Sequence, residues 1–150
     1  SAARETSRRN GVTLLPARVD MLSAIRSNTI DLLCFHAPYV PTSAEQLERS
    51  QAGAETKHAD LEAASFVWAG GPNGRAVLDR CLEELPRVLS PAGVAYILFF
   101  EATELIAAVE ALGLCARVVA SHRERGETFV LVSVCRGGPI ALLHGKPVDA

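Results

Sequence analysis

Apolar positions along the chain alternate between two rhythms. Ile30 to Phe35 (IDLLCF) and Val94 to Phe100 (VAYILFF) are nearly unbroken apolar runs of strand length, the pattern of strands covered on both faces. Between them Leu78, Cys81, Leu82 and Leu85 recur at helical spacing, which predicts a helix laid on a sheet, with Asn73 placed to cap it. A second amphipathic helix is expected from Glu101 to Leu112, with acids in its first turn and Gly113 as its stop. Leu114 to Ala120 and Thr128 to Cys135 are rich in Val and Leu and flank the charged turn SHRERGE. That pair predicts a hairpin.

The remaining segments are less regular. ARETSRRN, residues 3–10, reads as the end of a helix stopped by Asn10-Gly11. Thr13 to Val19 (TLLPARV) is a short strand candidate, placed at an edge because Pro16 has no donor for a ladder. Residues 43–66 are polar and read as an inserted helical or mobile loop, with a capping box at Ser43 and Gln46. Trp68-Ala69-Gly70-Gly71-Pro72-Asn73-Gly74 is dense in turn residues, and Ser90-Pro91-Ala92-Gly93 is a turn before the second apolar run. From Gly137 onward no period is visible, so residues 137–150 are expected to be a peripheral tail. Strands alternating with helices, then a hairpin, give an α/β class with a mostly parallel sheet.

Composition narrows the function classes. The 150 residues are 49% apolar with a net charge of −2, enough for one packed core and no basis for disorder. Fifteen Lys and Arg against seventeen Asp and Glu leave no excess to neutralise phosphates, so sequence-independent nucleic-acid binding is not expected. Arg4, Arg8 and Arg9 read as a solvated helix face, as do Glu45, Glu48, Glu55 and Glu62. No run is long enough to cross a bilayer and no signal peptide is visible, which gives a cytosolic expectation. Cys34, Cys81, Cys115 and Cys135 form no C-x-x-C pair. Cys34 and Cys81 read as small core residues. His36, His58, His122 and His144 have no ligand spacing, so no metal site is expected.

Three segments together carry a resemblance. Ile30 to Tyr39 is a strand followed by H-A-P-Y; Trp68 to Arg80 reads W-A-G-G-P-N-G-R-A-V-L-D-R; Leu89 to Tyr96 reads L-S-P-A-G-V-A-Y, with E-T-F-V-L-V-S-V following at Glu127 to Val134. Over residues 3–135 the chain resembles the HemK group of S-adenosylmethionine-dependent methyltransferases, in particular the eukaryotic branch that methylates a translation release factor. The tetrapeptide resembles that group's N-P-P-Y; the glycine-rich block at this distance after it is the more specific match. The resemblance implies a class I, Rossmann-like methyltransferase sheet over residues 1–136 with a C-terminal antiparallel hairpin. It implies methylation of a glutamine side-chain amide in a Gly-Gly-Gln loop.

In the family, the motif's Asn side chain and a backbone carbonyl accept the amide's two N–H bonds. That aims a delocalised, poorly nucleophilic nitrogen at the sulfonium methyl and stabilises the charge growing on it. Carried over, the resemblance implies that His36, Ala37, Pro38 and Tyr39 form the catalytic loop. It places Asp20, Met21 and His36 at the cofactor and Tyr39, Trp68 and Asn73 at the substrate. Asp20 matches the acid that accepts from the adenine amino group, and also suits an aspartate capping the next helix. Trp68 suits packing at the rim of the core as well. Two of the four loop positions depart from the pattern. A neutral imidazole at His36 accepts one hydrogen bond and an imidazolium only donates, while Ala37 restores a soft φ angle where the family has proline. Losing one well-placed polar partner costs roughly 3 kcal/mol in a transition state.

Family members also carry a strand, a glycine-rich turn that cradles the cofactor, and a second strand ending in an acid. No G-x-G-x-G occurs in these 150 residues. In the family sheet order 3-2-1-4-5-7-6, the two absent strands lie between TLLPARV and IDLLCF. The expectation is therefore an incomplete sheet, the C-terminal two-thirds of a methyltransferase domain, in a fragment or in one half of a split protein completed by another chain, with a rearranged sheet as the alternative. A catalytically inactive methyltransferase-like subunit of a larger complex is the rival reading, and adenine methylation in nucleic acid is disfavoured by the charge balance. The resemblance further implies a small zinc-binding activator protein that adds a strand beside Thr13 to Val19.

Overall fold

The computed structural model describes residues 2–53, 67–100, 102–124 and 126–137. Helix α1 (Ala2–Arg9) is followed by an irregular stretch, then strand β1 (Ile30–His36), a short β2 (Val40–Pro41) and α2 (Ala44–Gly53). After these come β3 (Ala69–Gly71), α3 (Ala76–Val88), β4 (Leu89–Phe100), α4 (Ala102–Ala111), β5 (Cys115–Glu124) and β6 (Glu127–Cys135). Residues 54–66 of the expected insertion, with Glu55 and Glu62, lie outside the described residues, as do the start of the second helix at Glu101 and the tail beyond Gly137.

The main sheet has the order β1-β4-β6-β5. β1 runs parallel to β4, with Leu33 opposite Ala95 and Phe35 opposite Ile97. β6 is antiparallel to β4, with Ile97 opposite Val132, and β5–β6 is the expected hairpin. The three apolar runs are thus adjacent strands, the first two parallel and the third antiparallel to the second. The main sheet is mostly antiparallel, not mostly parallel, because among its described strands only β1 reaches its neighbour through a helical crossover. A small second sheet pairs β2 with β3 in parallel.

One core serves the sheet and both later helices. Leu78, Cys81, Leu82 and Leu85 of α3 and Leu105 and Val109 of α4 are buried. They share a cluster with Ala95, Ile97 and Phe99 of β4 and Val130, Val132 and Val134 of β6. Alternation along β4 produces this: odd-numbered positions from Ala95 are buried and even ones are half-buried. Reciprocal bonds from the Ser43 N–H to Gln46 Oε1 at 3.0 Å and from the Gln46 N–H to Ser43 Oγ at 3.2 Å form the capping box at α2.

Several expectations are corrected. Thr13–Val19 forms no strand; residues 12–19 are irregular and exposed, because no described strand lies beside them to complete a ladder and Pro16 brings no donor. β1 is an edge strand of the described sheet rather than one covered on both faces: Leu32 is 64% exposed and Cys34 is exposed. The Ser90–Gly93 turn is absorbed into β4 as an irregularity, where the register moves from Ile30–Leu89 to Leu32–Val94. Gly93 permits it, since a Cβ there would lie 2.3 Å from the Ile30 carbonyl oxygen.

Candidate functional site

β1 ends on His36, and the chain turns through Ala37, Pro38 and Tyr39 into β2. The turn is anchored from below. Ala37 is 2% exposed and belongs to the core cluster, so packing holds the position that φ alone leaves soft. Tyr39 is half-buried against two aromatic rings, tilted on Phe100 at 5.7 Å and edge-on to Phe129 at 5.6 Å. The exposed His36 ring stacks on Tyr39 at 5.9 Å and 29°. His36 therefore presents its imidazole to solvent on an aromatic base, at the carboxyl end of a strand paired in parallel, the position where α/β sheets bind ligands.

The glycine-rich block is fastened to this turn through its backbone. The Val40 N–H donates to the Trp68 carbonyl at 3.0 Å, the Thr42 N–H to the Gly71 carbonyl at 3.0 Å, and the Gly71 N–H to Thr42 Oγ1 at 2.9 Å. Gly74, at φ +70, lies so close that a Cβ would come within 2.1 Å of the Tyr39 carbonyl oxygen. Gly70 in turn packs on Gly74. Two motifs about thirty residues apart in the chain are thereby joined into one surface. It carries His36, Tyr39, the half-exposed Trp68 and the exposed Asn73.

Asn73 does not cap α3. It sits in a 3-10 turn, Pro72–Gly74, at φ 57 and ψ 13; the cap residue is Arg75, whose side chain makes no capping bond to the helix backbone. An asparagine tolerates this left-handed conformation where most residues do not, so its backbone serves the turn and its side chain stays exposed. Arg75 is the residue that sequence reasoning missed. Its guanidinium binds Asp79 at 2.7 Å and Glu104 at 3.3 Å, tying the start of α3 to α4. Burial works against its charge, but the two carboxylates outweigh that and raise its pKa. The i,i+4 spacing of Arg75 and Asp79 was the available signal. Thr42, Phe100 and Phe129 had none, since only the fold brings them to the turn.

Of the three residues assigned to the cofactor, His36 stands on the loop, while Asp20 and Met21 lie in the turn before β1. Asp20 forms an ion pair with Arg80 of α3 at 2.7 Å, and its carbonyl accepts the Ser23 N–H in a turn, so it caps no helix. Met21, at φ 49, is half-buried against the core. Asp20 is thus held against α3, and no G-x-G-x-G occurs in the sequence. Among the described residues no group of His, Cys, Asp and Glu can hold a metal ion.

No protein-family model matches the chain. It is 32% identical over 131 residues to the methyltransferase HEMK2 of Homo sapiens, covering 83% of this chain and 56% of that protein. It is 28% identical over 133 residues to the eRF1 methyltransferase catalytic subunit mtq2 of Schizosaccharomyces pombe, covering 86% and 53%. Among solved structures, it is similar to the E. cuniculi Mtq2–Trm112 complex responsible for methylation of the eRF1 translation termination factor. That match has a TM-score of 0.55 and 26% identity over 81% of this chain and 60% of the other. The chain spans about half the length of the curated relatives it matches. In sequence the chain is similar to the HEMK2 and eRF1 methyltransferases, and in fold to the class I methyltransferase architecture of Mtq2.

Proposed function

We propose that this chain supplies the substrate-facing part of an S-adenosylmethionine-dependent methyltransferase that acts on a glutamine side-chain amide in the Gly-Gly-Gln loop of a release factor. The observation that carries the reading is the union of the His36–Tyr39 turn with the Trp68–Gly74 block through the β2–β3 ladder. In this reading the glutamine side chain lies against Tyr39, with its amide at His36. A neutral imidazole accepts one amide N–H, which orients the nitrogen and restricts its approach to one direction.

The methyl donor requires a cofactor cradle that Asp20 and Met21 do not build alone. The reading therefore includes a completing segment that pairs with the open edge of β1 and places donor and amide together. It also includes a small zinc-binding activator protein that covers the exposed apolar residues Val12, Leu14, Leu15 and Val19. The setting is the cytoplasm, where release factors work.

The test is methyl transfer from labelled S-adenosylmethionine to a release factor, with this chain alone and with the completing segment. Transfer only in the completed form is expected. Absence of both cofactor binding and transfer in the completed form overturns the enzyme reading. Replacing His36 by Asn, which restores two acceptors on one side chain, is expected to preserve or raise the rate. A lower rate would show that the imidazole has a role of its own.

A further inference from the structure

The hairpin places two of the four cysteines face to face. Cys115, the first residue of β5, is the register partner of Cys135, the last residue of β6. Directly opposed residues of an antiparallel pair have their side chains on the same face, with Cα atoms about 4.5–5.5 Å apart. Both spacings lie inside the roughly 4.4–6.8 Å window that a disulfide requires. Neither sulfur is bridged: Cys115 is free and exposed, Cys135 free and buried. Gly137, two residues past Cys135, lies beside Cys115, where a Cβ would stand 3.3 Å from Cys115 Sγ. The exposed sulfur thus leans toward the end of β6 that carries its partner. The other cysteines have no such arrangement. Cys34 faces Tyr96 in the ladder, and Cys81 is buried in α3.

We propose that Cys115 and Cys135 form a thiol–disulfide site that reacts with low-molecular-weight disulfides, independently of the methyl-transfer surface. The exposed Cys115, as thiolate, attacks one sulfur of the incoming disulfide; a new S–S bond forms, the old one breaks, and the first small thiolate leaves and takes up a proton. Cys135 then gives its proton to solvent and attacks Cys115 Sγ. The protein S–S bond forms and the second small thiol departs. Two protein thiols are oxidised by two electrons and one small disulfide is reduced to two thiols. Access is needed only at Cys115, because the second step is intramolecular. Its product joins the outer strand of the described sheet covalently to its neighbour.

The probe is glutathione disulfide, applied to the reduced chain, with intact mass and a tryptic map as readouts. Loss of the mass of two hydrogens is expected, together with a linked pair of peptides containing Cys115 and Cys135, which cleavage after Arg117 and Arg123 otherwise separates. The Cys34→Ser variant should close as the parent does. Cys115→Ser, a change at an exposed position, should abolish the linked pair. A stable glutathione adduct on Cys115 without loss of two hydrogens overturns the proposal. So does a linked pair that includes Cys34 or Cys81. Neither readout depends on methyl transfer.

Discussion

Single atoms decide how firmly the candidate loop is held. A Cβ on Gly74 would stand 2.1 Å from the Tyr39 carbonyl, and its φ of +70 is itself unfavourable for any other residue. Gly74→Ala is therefore expected to cost about 2–3 kcal/mol, read as a lower urea midpoint, and to release Trp68 fluorescence from its folded value in the native baseline. Cys81 provides a pH-dependent term. Burial, aided by the charge of Glu84, pushes its thiol from 9.0 up to about 12. Below the unfolded-state value both states keep the proton and stability is undiminished. Above it the unfolded chain ionises while the folded one does not. Stability then falls through the window from 9.0 to about 12, by up to about 1.4 kcal/mol per pH unit. Under reducing conditions Cys81→Ala should show a shallower loss than the parent between pH about 8 and about 10.5, although its absolute stability is lower for lost packing. Equal slopes would contradict the assignment.

At the scale of elements, the last turn of α3 ties down the chain that leads into β1. Arg87 donates to the Ile25 carbonyl at 2.6 Å and the Leu22 carbonyl at 2.9 Å while paired with Glu84 at 2.6 Å. Arg87→Ala should speed amide exchange at Ser23 and Ile25 and lower stability by about 1–2 kcal/mol; unchanged exchange there would show that the turn stands without it. What the sequence disclosed follows from which forces were local. Periodicity exposed α3, α4, β1, β4 and the hairpin because an apolar stripe is repeated every turn or every second residue. The capping box at Ser43 was legible because its partners are three residues apart. The irregularity at Ser90–Gly93 was not, since Gly93 is required by the Ile30 carbonyl, far away in sequence. Asn73 suited a cap by type, but Gly71 and Gly74 on either side make a tight turn that leaves it left-handed. Burial of β1 was misread because an apolar run reports what a strand is built to contact, not which neighbours are present. The H-A-P-Y motif located the candidate loop, whereas its aromatic base at Phe100 and Phe129 came only from tertiary pairing.

At the scale of the molecule, large apolar side chains among the described residues are exposed on both sides of the candidate loop, five before it and Val40, Val67 and Trp68 after it. Val12, Leu14, Leu15, Val19 and Leu32 are all exposed, and β1 offers an open strand edge among the described residues. Such an edge beside apolar surface invites pairing with other chains. The isolated chain should therefore self-associate as concentration rises, and Leu32→Lys should reduce this in sedimentation without altering the helical signal. Leu15→Asp, at a residue 90% exposed, should leave stability within about 0.5 kcal/mol yet weaken binding of a companion protein at residues 12–19. Full binding by Leu15→Asp would place the companion elsewhere.

The parallel union of β1 with β4 also bears on the order in which the molecule assembles. β5 and β6 meet through a turn of a few residues and β4 joins them after one helix, whereas β1 must bring residues in the thirties against residues in the nineties. Closing the longer loop carries the larger entropic cost, and pairings distant in sequence form late. β1 is therefore expected to dock last and to leave first, so that the turn carrying His36 and Tyr39 stands on the strand expected to open most readily. Hydrogen exchange should show Leu33 to His36 opening together at a lower free energy than Val130 to Val134, and a ligand seated on that turn should close the gap.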